Sequence, residues 1–435
     1  MSANSKAKGK VSLRDAISIG IGGMVGGGIF AVLGLATDLA KGGTPVSFLI
    51  AGMIALLTAY SYSKLSVTYP DKGGTVKFIN TGFGINVFSG GINNLLWVSY
   101  IIMLALYASA FGSYAPNLIK ITGSTDADAH IYASAIIVVA TLINYYSIAV
   151  VGKIESIAVI LKLVILLAFV GIGVYGLSSS THLDQLALAN WESPLNLVAA
   201  GMMIFVAYEG FELIANAAPD IADRKKNIPK AYYRSVIFVI ALYLIIAVIT
   251  VGSLDFAEIA TAKDYVLAEA AKPMLGAAGF TIITIAALIS TFSAINASLY
   301  GGSRVSYELA EDDELPHELT AQLWNQPVGL MITAVATLIL VNTMQLESIS
   351  TAGSVGFLLI FACVNFAGFK LHSQTGSNKV IPIIGFAACS IALLTLIIKQ
   401  FTTNKVDVLI ALGIVAFCFL IEWLYKRFSK AKSQN

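Results

Sequence analysis

Residues 18–30 read SIGIGGMVGGGIF, and six of the nine positions from Gly20 to Gly28 are glycine (20, 22, 23, 26, 27 and 28). The run lies inside an apolar stretch, where each glycine costs a helix about 1 kcal/mol relative to alanine. Gly26, Gly27 and Gly28 in succession therefore favour a break over a continued helix. In a bilayer, backbone freed by a break is tolerated only where it lines a polar cavity or is buried in protein. Close helix packing is the competing reading, since Gly22/Gly26 and Gly23/Gly27 both fit the small-xxx-small pattern. Packing needs one glycine stripe, whereas this cluster covers every face. The favoured reading is a discontinuous helix whose second half starts near Gly28. Such a helix aims bare amides and a positive dipole end at an anionic group.

The chain around this stretch is 435 residues long, 57% hydrophobic and only 12% charged, with mean hydropathy +0.80. Soluble proteins carry about 25% charged residues, so the expected class is an all-α polytopic membrane protein with the lipid bilayer as its surroundings. A net charge of +2 gives no reason to expect a nucleic-acid partner. Cys363, Cys389 and Cys418 fall in separate apolar segments, which implies neither a disulfide framework nor a metal spacing. The first apolar segment is too long for the h-region of a cleavable signal peptide. His130, His182, His317 and His372 fall in expected loops or helix ends and form no ligand spacing. With no nucleophile and base and no phosphate loop, neither an enzyme nor an ATP-driven pump is expected. A channel would show a repeated filter loop or pore ring, and none is visible.

Transmembrane helices need about 20 apolar residues. They are expected at 12–39, 45–69, 84–118, 131–150, 153–177, 194–219, 231–254, 277–307, 328–345, 351–371, 381–400 and 406–427. That makes twelve helices in one membrane domain, with the third and eighth long enough to tilt or protrude. Placing the N-terminus in the cytoplasm puts 20 of the 27 Lys and Arg on the inner side and 6 on the outer. This bias supports twelve spans with both termini cytoplasmic.

A second break is expected in the sixth span, where residues 201–221 read GMMIFVAYEGFELIANAAPDI. Glu209 and Glu212 are expensive at membrane depth. A helix end in water is the plainer reading, but apolar residues flank the pair on both sides. The breaks near Gly27 and Glu209 are about 182 residues apart. Paired interruptions in matching positions of two halves point to inverted repeats around a midplane site. Spans 1–5 would form repeat one (about 12–177) and spans 6–10 repeat two (about 194–371), with helices 11 and 12 (about 381–427) added. The remaining basic residue, Lys162, lies nine residues past Lys153, or about 13 Å into the membrane. No acid stands three or four residues from it, and snorkelling is a poor escape from mid-helix. A constitutive buried ion pair and a titrating amine both remain; the titrating amine is preferred.

These motifs resemble the amino-acid permeases of the amino acid–polyamine–organocation superfamily, which have a LeuT-like fold. The matching residues are GGMVGGGIF (22–30), TYPDKGGTVKF (68–78), FVAYEGFE (205–212) and GGSRVSYELAEDDELP (301–316), together with Lys162. The resemblance spans helices 1 to 8. Two departures touch the loops: Lys64 stands where the family usually has an acid, and Glu311, Asp312, Asp313 and Glu314 make the loop after the eighth span unusually acidic.

The resemblance implies a transporter of small-molecule amino acids, mostly neutral and broad in range, in the cell membrane. It places a substrate α-carboxylate on the amides of Gly26, Gly27 and Gly28. The α-ammonium falls to the carbonyls of Met24, Val206, Ala207 and Glu209. Tyr208 would cover the substrate from outside, or else be a core aromatic. Ala287, Ser290 and Thr291 align with the sodium site of sodium-coupled relatives, although hydroxyls in membrane helices commonly bond their own backbone. Lys162 there leaves no room for sodium, so the proton is the implied coupling ion and no cofactor is expected. Its implied partners are the carbonyls near Gly23 and Ala287 and the hydroxyls of Ser290 and Thr291. Glu212 is an alternative proton carrier or a structural hydrogen-bond partner. An exchanger of the same fold, without net proton coupling, is the rival function.

Overall fold

A computed structural model describes residues 11–146, 148–311, 314–315, 320–323 and 326–432, without the side chains of 148–156, 323 and 428–432. Lys6, Lys8, Lys10, Asp312, Asp313 and His317 lie outside the described residues, as do the side chains of Lys153, Glu155, Lys430 and Lys432.

The first expected span is two helices, α1 (Leu13–Met24) and α2 (Gly28–Ala40). Ser12 caps α1 and exchanges hydrogen bonds with Asp15. Next come α3 (Thr44–Thr68), the short α4 (Thr75–Phe83), α5 (Val87–Tyr114), α6 (Thr125–Tyr146) and α7 (Ile148–Leu177). The sixth span is α8 (Pro194–Met203), a tight 3₁₀ turn at Phe205–Tyr208 and the short α9 (Leu213–Ala217). Helix α10 (Arg224–Ser253) follows, then a hairpin carrying α11 (Phe256–Thr261) and α12 (Val266–Glu269). The long α13 (Lys272–Glu311) bends at Gly276, where φ is +59°. Helices α14 (Val328–Thr343), α15 (Leu346–Lys370), α16 (His372–Thr375), α17 (Val380–Thr403) and α18 (Lys405–Lys432) complete the chain.

By length and composition, nine described helices can cross a membrane, and two bent pairs, α1 with α2 and α8 with the segment to Asp220, bring the number to eleven. The ninth expected span, 328–345, is α14, an apolar helix of only 16 residues. At 1.5 Å per residue it covers about 24 Å, short of the bilayer core of about 30 Å.

The layering follows from what each helix touches. Helices α5 and α15 sit innermost, with 78% and 83% of their membrane windows buried against protein. At 28% and 22%, α17 and α18 turn most of their apolar surface outward, the arrangement of helices laid against lipid. The result is an all-α polytopic membrane protein.

The two broken helices are stitched together at three levels. At one end of the pair, Val11 N donates to Asp220 O (3.0 Å) and Ala222 N to Val11 O (2.9 Å). At the opposite end, Gly42 N donates to Asn190 O (3.0 Å) beside a Lys41–Trp191 bridge. Midway they cross backbone to backbone. A Cβ on Gly23 would lie 2.7 Å from Gly210 O, and one on Gly28 would lie 2.8 Å from the Ala207 Cα.

Candidate functional site

Both breaks fall where the sequence places them. Helix α1 ends at Met24, the chain turns through Val25–Gly27, and α2 restarts at Gly28 with a 46° change of direction. Gly27 is the N-cap of α2 and has no side chain with which to cap it. The first turn of α2 carries no acidic residue either, so its positive end is left to be met from elsewhere. The second break turns 51°. It is held by Gly210 at φ +113°, a backbone region that side chains rarely enter.

Side chains from several helices serve the freed backbone. The Tyr243 hydroxyl, from α10, reaches the carbonyls of Met24 (2.6 Å) and Ala207 (3.2 Å), one on each broken helix. Ser290, from α13, donates towards Val25 O (3.1 Å) and Gly26 O (2.7 Å). Lys162, wholly buried on α7, donates from Nζ to Gly22 O at 3.0 Å. Ser354 on α15 accepts from Val206 N at 3.3 Å and donates to Met203 O at 2.9 Å.

The sequence-derived site residues gather at this crossing, with shifts of partner. Lys162 meets the carbonyl of Gly22, next to Gly23, within the stretch the resemblance implies. Ser290 engages the first break, while the Thr291 hydroxyl turns back to Ala287 O (2.7 Å) and Leu288 O (3.2 Å) of its own helix. The Val206 carbonyl accepts Glu209 N (3.2 Å) within the tight turn. Tyr208 is fully buried, donating to Phe48 O at 2.8 Å with its ring 5.3 Å from that of Tyr243. Gly26 and Gly27 are packed as well as bare: Cβ atoms there would meet Ala294 at 2.9 Å and Thr291 at 3.1 Å, with the Tyr107 ring also against Gly27.

Glu209 and Glu212 are 3% and 1% exposed. Tyr107, on α5, donates to Glu209 Oε2 at 3.1 Å, and Gly210 N donates to Glu212 Oε2 at 2.7 Å. Sequence reading missed Tyr243 and Tyr107. Their only signal is a phenol in an otherwise apolar span, and buried tyrosines commonly find partners.

Tyr62 packs edge-on against Phe78, Phe211 and Phe361 at 5.5–5.8 Å between ring centres. Lys263 of the hairpin bridges Asp38 of α2 (3.1 Å) and Glu347 of α15 (3.7 Å). A cavity of about 500 Å³ lies there, lined by Leu35, Ser113, His130, Lys263, Asp264 and Glu347 among others.

Two broken membrane helices that cross at their breaks, with polar side chains serving the freed backbone, define a membrane transport protein. The chain belongs to the amino acid permease family, whose model matches residues 11–427. It is 33% identical to an uncharacterized protein of Methanocaldococcus jannaschii, covering 98% of this chain and 97% of that one. It is 30% identical to the inner membrane transport protein YbaT of Escherichia coli, covering 96% of each. At 22% identity it also matches the branched-chain amino acid permease BcaP of Lactococcus lactis, over 86% of this chain and 87% of the relative. The protein is a multi-pass amino-acid permease, not an enzyme.

Proposed function

We propose that this permease is a proton-coupled symporter that brings amino acids, broad in range and mostly neutral, into the cell by alternating access. The observation that carries the reading is Lys162, an amine buried on α7 with Nζ 3.0 Å from the Gly22 carbonyl beside the first break. Protonated, it holds α7 to the broken helix as a bound cation would; deprotonated, it releases that grip. A proton thus biases the balance between two conformations. The uncapped start of α2 supports a site for the substrate carboxylate, and the carbonyls of Met24 and Ala207 support one for its ammonium. The two halves, 12–177 and 194–371, act as inverted repeats about this site, with both termini in the cytoplasm of a cell-membrane protein.

Proteoliposome uptake tests the reading. An inward proton gradient should drive accumulation of labelled neutral amino acids into empty liposomes with sodium replaced by choline. A requirement for sodium, with no response to the gradient, would overturn it. Uptake only into liposomes preloaded with amino acid would make the protein an exchanger.

A further inference from the structure

The carboxyl groups of the second break are two, and the transport reading above uses neither. Glu209 ends the tight turn and Glu212 stands just before α9, with Gly210 between them at φ +113°. Both side chains are buried and flank this one turn, three residues apart, with their carboxyl groups as neighbours. One oxygen of each carboxyl is engaged: Glu209 Oε2 by the Tyr107 hydroxyl, Glu212 Oε2 by the Gly210 amide. Glu212 Oε1 is buried without a hydrogen-bond partner. The other titratable groups around the pair are phenols: Tyr100 and Tyr107 from α5, Tyr62 from α3 and Tyr232 from α10. Lys162 reaches the same crossing at the Gly22 carbonyl.

Two adjoining carboxylates, both shielded from water, repel strongly, and a proton between them removes the repulsion and supplies a missing donor. Two protons would leave the acceptors facing the Gly210 amide and the Tyr107 hydroxyl without charge assistance. We propose that Glu209 and Glu212 are one proton-binding site, separate from Lys162, which carries a single shared proton in the substrate-free protein. The proton is taken from water and returned to it, and no other ligand takes part. The pair then presents one negative charge, not two, to the break that receives the substrate. The inference deepens the proton-coupled reading by adding a second proton site to the crossing.

Infrared spectroscopy of the purified, detergent-solubilised protein tests it without any transport step, so failure here and failure of symport are told apart. The measured quantity is the protonated-carboxyl C=O band in the difference between the wild type and Glu209→Gln/Glu212→Gln. Glutamine keeps the shape of glutamate, and size-exclusion chromatography verifies that the variant is folded. At pH 7 the difference should show half the amplitude it reaches once acid has protonated the pair fully. Zero amplitude (both ionised) or full amplitude (both protonated) overturns the proposal. The half amplitude should survive in a Lys162→Ala background; zero or full amplitude there ties the proton to the lysine and overturns the separateness of the two sites. It should also be the same in sodium chloride as in choline chloride. Loss in sodium alone makes the pair a metal-cation site and likewise overturns the proposal.

Discussion

Gly23 and Gly210 meet backbone to backbone, so that a methyl group on Gly23 would sit 2.7 Å from the Gly210 carbonyl oxygen and 2.9 Å from its Cα. This contact sets how closely the two broken helices cross, and Gly210 adds a φ of +113° that other residues rarely adopt. Replacing Gly210 by alanine should strain the backbone by roughly 1–3 kcal/mol in addition to the clash. Thermal unfolding in detergent should show a clear fall in Tm together with loss of uptake. A wild-type melting curve with normal uptake would mean that the helices can part at no cost.

Gly27→Val should abolish uptake while leaving a folded protein. The branched side chain would meet the Tyr107 ring and the Thr291 methyl, and would cover the amides that start α2. Normal transport by this variant would make the glycines packing elements and remove the anion site from the first break.

Tyr243→Phe deletes one oxygen and keeps the ring contacts with Phe48 and Tyr208, at 5.8 and 5.3 Å. It strands the carbonyls of Met24 and Ala207, and a buried group left unpaired costs about 1–3 kcal/mol. The variant should therefore melt earlier and bind neutral amino acids less tightly. Unchanged stability would show that the two carbonyls find another donor.

Lys162→Ala should fold and still bind substrate, because its amine contacts the Gly22 carbonyl, which lies before the groups expected to hold substrate. It should fail to accumulate amino acids under a proton gradient. Accumulation at the wild-type level would take lysine out of the coupling step and move attention to Glu212.

Lys263→Gln should loosen the hairpin. Each exposed ion pair, to Asp38 and to Glu347, contributes about 0–1 kcal/mol and is screened by salt. Losing both, up to about 2 kcal/mol together, should shift the open population by up to about thirtyfold. The three native cysteines are all buried, so a Cys placed at Ser113, in the cavity beside Lys263, should report the shift. Faster labelling by a membrane-impermeant thiol reagent at low salt is the expected outcome; equal rates would show that the hairpin is held by packing alone.

The breaks were legible in the sequence because their causes are local. Glycine runs and charged residues at membrane depth stand out against an apolar background, and α2 begins at Gly28 as the run implies. The partners were less legible because they depend on where a carbonyl points after the chain has turned. Thr291 satisfies itself within α13 for that reason. Tyr243 carried no signal beyond its phenol, since its role appears only when α10 is laid across both breaks. Helix α14 was placed correctly in the chain, but its 16 residues are too few to settle from hydropathy whether it spans.

A phenol owns a single hydrogen, yet the Tyr243 hydroxyl lies within reach of two carbonyls, Met24 O at 2.6 Å and Ala207 O at 3.2 Å. It can satisfy one of them fully at any moment, so of these two acceptors one is always short of a donor. A primary ammonium carries three hydrogens on one atom and could serve both acceptors with one to spare. A fully methylated ammonium has none. On the proposed reading, the crossing therefore favours a primary ammonium over a fully methylated one before any side chain is read.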